Sequence, residues 1–131
     1  MLMNKRFLIS IFQITLKKVL DNEFSIKGQN VVLRKERLDH ILESHSDIGT
    51  DVPDVLKRTI LEPDLILKDN KNDQTAMFVK KDSINLVNTI VKLSNANNYD
   101  NSVITAFRIS DKRYNRLLKK NAALLKRDDM L

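Results

Sequence analysis

The chain has 131 residues, 42% of them hydrophobic, with a net charge of +6, two glycines, two prolines and no cysteine. That suffices for one domain with one core and excludes disulfide frameworks, thiolate metal sites and glycine-rich or Walker-type phosphate loops. No run reaches the 18 or so apolar residues of a membrane span, and the lack of cysteine accords with a cytoplasmic protein.

The segment Arg6–Ile14 is β-branched and aromatic and reads as a strand. It is a poor export signal: Gln13 breaks the apolar run, Lys17 and Lys18 follow, and no Ala-x-Ala cleavage pattern occurs. Thr15 can cap a short helix, Leu16–Leu20, which gives way at Asp21-Asn22. Lys27-Gly28-Gln29-Asn30 is a turn, and Val31-Val32-Leu33 a short strand. From Lys35 to about His45, Leu38, Ile41 and Leu42 recur at helical spacing. Pro53 then sits where a first-turn proline belongs, and a second helix runs through Leu56 and Ile60 to its stop at Pro63.

Beyond Pro63 the apolar period changes to two. Asp64–Lys68, Thr75–Lys81, Ile84–Leu93 and Ser102–Ser110 read as four strands with short connections, which favours antiparallel pairing. Ser110 or Asp111 can cap a last helix carrying Tyr114, Leu117, Leu118, Ala122 and Leu125 on one face. The expectation is a single α+β domain over residues 1–131. Its N-terminal helices pack on a four-stranded antiparallel meander, and an amphipathic basic helix ends the chain.

Charge is unevenly spread. Residues 1–66 hold ten basic and ten acidic side chains, and residues 67–131 thirteen and seven, so the whole excess lies in the second half. One-sided positive charge suits a polyanion such as nucleic acid; a merely solvated helix face is the plain alternative. Strand alternation adds Lys80, Lys92 and Arg108 near Phe78 on one sheet face, a type of platform that single-stranded RNA uses.

The only histidines are His40 and His45, and histidine is the side chain best placed to exchange protons near neutrality. On a regular helix, five residues turn them about 140° apart, so that His45 faces inward and His40 outward. The spacing does not fit the His-Glu-x-x-His zinc arrangement, and no acidic cluster suggests a two-metal nuclease. A basic sheet face, an inward histidine and a hydroxyl-bearing strand suit RNA cleavage by general acid–base catalysis without a metal or cofactor.

Three motifs in order carry a resemblance: Val31-Val32-Leu33 leading into Arg37-Leu38-x-His40-Ile41-x-x-x-His45, then Leu61-Glu62-Pro63-Asp64, then Ser102-Val103-Ile104-Thr105-Ala106-Phe107. Together the chain resembles the phage-encoded branch of the barnase/EndoU/colicin/RelE-like nucleases over about residues 6–115. It departs from their pattern at Arg34, where a Thr or Ser cap is usual, and at Ser46, where proline often follows the histidine. The resemblance implies a metal-independent endoribonuclease, a toxin or mobile-element effector, that cuts tRNA or mRNA through 2′-OH attack. It implies proton transfer by His45 and His40, phosphate binding by Lys80 or Lys92, and Thr105 at the catalytic end of the last strand. Lys92, Arg108, Tyr114 and Arg37 are the expected substrate contacts. By alternation, Lys80 and Thr105 point to opposite sides, which only a bulge or strong twist reconciles. An acidic inhibitor protein would be the partner of a toxin. Two other readings stay open: a non-catalytic nucleic-acid-binding or phage accessory domain, and a ribosome-dependent mRNA endonuclease.

Overall fold

The structure, a computed structural model, describes residues 6–11, 14–24, 26, 28, 30–49, 51–82, 85–94 and 100–127. The elements are β1 (Arg6–Ile11), α1 (Ile14–Phe24), β2 (Asn30–Arg34), α2 (Lys35–Ser44), a 3-10 turn (Ser46–Ile48) and α3 (Val52–Leu61). They continue with β3 (Leu65–Lys68), β4 (Thr75–Asp82), β5 (Asn85–Lys92), β6 (Asn101–Ile109), α4 (Asp111–Lys120) and β7 (Ala123–Lys126). None of the helices among the described residues is long and apolar enough to cross a membrane.

The fold is α+β, as expected, but its sheet is mixed and seven-stranded, in the order β1-β2-β6-β5-β4-β3-β7. The four-stranded meander is therefore corrected. β3 to β6 do pair antiparallel in sequence, yet they form only the middle of the sheet. β2 adds to β6 in parallel, β1 adds to β2, and β7 closes the far side against β3.

The long C-terminal helix is corrected as well. It stops at Lys120, and Asn121 turns extended (φ −127°, ψ 143°) while its side-chain amide donates to the Leu117 carbonyl at 3.0 Å. Leu65, Ile66 and Leu67 of β3 are fully buried, and without β7 their backbone would form an open edge. The segment read as helix around Ala122 and Leu125 instead covers that edge, with Leu125 opposite Ile66.

Local chemistry explains much of the rest. Pro53 lies in the first turn of α3, where a missing N–H costs nothing. Val52, Leu56, Thr59 and Ile60 of that helix are buried, a stripe at helical spacing. Together with Leu16, Leu20 and Phe24 of α1 and Ile41 of α2, they cover one sheet face, packing on Ile66, Ala76, Phe78, Val91 and Ala106. Each fully buried Val, Leu, Ile or Phe among them contributes about 1.5–3 kcal/mol. The opposite face holds a smaller cluster, Leu65, Leu67, Met77, Val79, Leu86 and Ile109, against Tyr114, Leu117 and Leu118 of α4.

Asn101 fastens the junction of the two sheet halves. Its carboxamide is fully buried; the oxygen accepts from the Ser94 N–H at 2.8 Å, and the amide donates to the Gly28 and Asn30 carbonyls at 3.1 and 3.0 Å. Asn101→Ala strands these backbone groups and is expected to cost about 2–4 kcal/mol, read as a lower midpoint in urea unfolding.

That junction is short. Among the described residues, β2 pairs with β6 through Val31–Asn101 and Val32–Ser102 alone. Past Ser102 the chain of β2 turns into α2, which with the 3-10 turn packs against β6. Arg34 donates to the Ser102 hydroxyl at 3.3 Å at the fork. The sheet thus splits beside β6, and the split receives α2 with its histidines.

Candidate active site

Ile41 anchors α2 in the main core, while His45 at the end of the same helix reaches the opposite sheet face. Its ring lies 5.6 Å from that of Phe107, centroid to centroid. The helix ends at Ser44; His45 is the C-cap residue (φ −133°, ψ 48°), and its N–H donates to the Ile41 carbonyl at 2.8 Å. Leaving helical geometry swings the His45 ring toward His40, and the two centroids stand 6.0 Å apart at an interplanar angle of 79°. The divergence of about 140° expected for a regular helix does not apply, because the helix stops one residue short of His45.

These rings form one side of an open pocket of about 370 Å³, lined also by Arg37, Ile104, Thr105, Phe107 and Arg113. Register explains the β6 contribution. Ile90 pairs with Thr105 but Val91 with Val103, so Ile104 is an extra, bulged residue. From Thr105 onward, alternation sends Thr105 and Phe107 to the face bearing Met77, Asn88 and Ile90. The Thr105 hydroxyl is buried without a hydrogen-bond partner. Thr105→Val keeps its shape and removes that orphan group, so a stability gain of about 1 kcal/mol is expected. Lower cleavage in the same variant, measured beside its melting temperature, would mark a hydroxyl kept for substrate.

Arg113 comes from the first turn of α4. Ser110 caps that helix, its hydroxyl accepting from the Arg113 N–H at 3.1 Å, and the guanidinium carbon sits 5.3 Å above the Phe107 ring. That contact holds the cation over an aromatic face at the pocket's edge. Among the described residues, none that lines the pocket is acidic, and no group of three or more His, Cys, Asp or Glu could hold a metal ion. The protonic groups of the pocket are its two imidazoles.

Of the residues expected from the sequence, His40, His45, Thr105 and Arg37 come together here. Lys80 does not. It pairs with Val87, opposite Arg108, on the helix-covered face, and its ammonium donates to the Glu62 carbonyl at the end of α3, 2.9 Å away. The β6 bulge lies on the far side of Thr105 and leaves the two on opposite faces. Arg108, on the same face as Lys80, donates to the Asp47 carbonyl at 3.3 Å and ties down the turn after His45. Phe78 is fully buried in the main core, so the expected basic platform around it does not form. Lys92 is exposed on the Thr105 face, opposite Ser102, outside the pocket lining. Tyr114 packs on the smaller cluster; burial, then nearby Asp64, raises its phenol above the usual tyrosine range.

Phe107 and Arg113 are the members that the sequence reading missed. Phe107 shares a face with Thr105 by simple alternation, and Arg113 lies three residues past a serine cap, so both signals were present.

Paired imidazoles flanked by guanidiniums and a hydroxyl, with no acidic lining residue, form a site suited to an anionic diester. The family model described as phage-Barnase-EndoU-ColicinE5/D-RelE like nuclease2 matches residues 8–125, and the chain belongs to that nuclease family. No curated protein and no solved structure matches it.

Proposed function

We propose that this protein is an endoribonuclease that cleaves by 2′-OH attack, with His40 and His45 as the acid–base pair. The observation that carries the reading is the approach of the two rings to 6.0 Å beside Thr105 and Arg113. One imidazole takes the proton of the 2′-hydroxyl as the new O2′–P bond forms. The other gives a proton to the 5′-oxygen as the P–O5′ bond breaks, leaving a 2′,3′-cyclic phosphate and a 5′-hydroxyl. Attacking and leaving oxygens stand in line on either side of phosphorus, so two separate proton carriers flanking the phosphate suit the geometry.

Arg113 and Arg37 neutralise the charge that builds on the non-bridging oxygens, and the Thr105 hydroxyl, free of other bonds, donates to one of them. The α4 basic side chains extend the positive field along the strand's path. Family membership supports a nuclease; tRNA or mRNA as substrate, a phage or mobile-element toxin role and an acidic inhibitor are proposals that extend it. The alternative, a domain that binds nucleic acid without cutting it, predicts no cleavage of RNA.

Incubation of total RNA with the protein in EDTA tests the mechanism. Fragments ending in 2′,3′-cyclic phosphate are expected; strict dependence on a divalent cation contradicts it.

A further inference from the structure

Past Phe107 and Arg113, which belong to both, the catalytic pocket continues into a larger groove of about 700 Å³ on the same sheet face. Met77, Asn88 and Ile90 line it from the sheet, the Asp69–Asn72 turn and α4 from either side. The turn is fixed in place: the Asn70 side chain donates to the Lys120 carbonyl at 2.7 Å and the Asn70 N–H to the Asn121 side-chain oxygen at 3.3 Å. Asp69, the acidic residue in the wall, has its carboxylate accepting from the Lys71 N–H and the Asn72 side chain at 2.9 and 3.1 Å. Arg113, Arg116, Lys71 and Lys120 make the groove positive.

Asn88 is the buried polar side chain on the sheet wall of the groove. The residue is only 1% exposed, and its side-chain oxygen has no hydrogen-bond partner. Flanked in β5 by Leu86 and Ile90, it points to the groove face. A buried amide oxygen left without a donor is destabilising, and a ligand that brings a donor relieves the cost.

We propose that this groove is a nucleobase subsite for single-stranded RNA, in which Asn88 accepts a hydrogen bond from the exocyclic amino group of the base neighbouring the cleaved phosphate. The assignment of that phosphate rests on the nuclease reading above; the binding does not. Cytosine presents an amino group where uracil presents a carbonyl oxygen, which would meet the Asn88 oxygen acceptor to acceptor. Arg116 and Lys120 hold the backbone.

Fluorescence anisotropy with labelled 2′-O-methyl oligocytidine and oligouridine of equal length tests this, because neither probe can undergo 2′-OH attack. The wild-type chain is expected to bind oligocytidine about tenfold more tightly, the worth of one hydrogen bond to a buried group. Asn88→Leu, checked for an unchanged melting temperature, is expected to bind both alike. Arg116→Glu weakens both and flattens the salt dependence. Equal or reversed affinities in the wild type overturn the proposal without reference to any variant, as does discrimination that survives in folded Asn88→Leu. Preference for cytidine in a protein that cuts no RNA leaves the subsite standing and removes the nuclease reading; cleavage without the preference does the converse.

Discussion

His45→Ala is expected to lower the rate of RNA cleavage by about 10²–10⁴-fold, the usual worth of a positioned acid or base. The fold should survive. The backbone N–H of His45 that caps α2 on the Ile41 carbonyl remains in the variant, and the half-buried ring gives up its contacts with Phe107 and His40. His40→Ala is expected to lose a similar factor, although His40 is exposed and conventional reading would dismiss it. The double variant should fall little further than either single one, since an acid and a base act as a unit. Lys80→Ala is the contrasting control: the side chain binds the Glu62 carbonyl on the far face, so cleavage should stay within about twofold while stability falls by about 0.5–1 kcal/mol. Initial rates on a labelled oligonucleotide, with circular dichroism to confirm folding, decide the set. A His45→Ala protein that is folded and fully active ends the acid–base assignment.

Arg113→Ala is expected to cost about 10²–10³-fold in kcat, the range for removing one fixed donor to developing transition-state charge. The loss should fall mainly on kcat because the charge it answers grows as the phosphorane forms. Stability should change by only about 0.5–1 kcal/mol, the value of an exposed cation–π contact, since the Ser110 cap uses the Arg113 backbone. Arg113→Lys should recover part of the rate, as it restores charge without the planar fork. A variant that binds RNA less tightly but turns over at the wild-type rate would make Arg113 a binding residue alone.

The sequence showed best what is decided locally. The β2–α2 junction, Pro53 at the head of α3, the Ser110 cap and the period-two strands β3 to β6 all follow from neighbours within a few residues. What it hid depends on distant partners. β7 looks helical because Leu124 and Leu125 follow the α4 stripe, and only the open edge of β3, some 60 residues earlier, makes it a strand. Alternation placed Lys80 and Thr105 on opposite sides, which holds, but it does not tell which side the helices cover. The geometry of the histidines is not legible in the sequence for one reason. Their relative direction depends on whether α2 reaches residue 45, and the backbone at His45 leaves the helix at that residue. Arg113 was visible as charge but not as a site, because its contact with Phe107 requires α4 to fold back over the end of β6.

The most direct test of the central claim uses an oligonucleotide of DNA with a single ribonucleotide, incubated with the protein in EDTA. Cleavage solely on the 3′ side of that ribonucleotide, leaving a 2′,3′-cyclic phosphate, is the expected result. Cutting of the DNA linkages, or cutting that needs an added divalent cation, would contradict it.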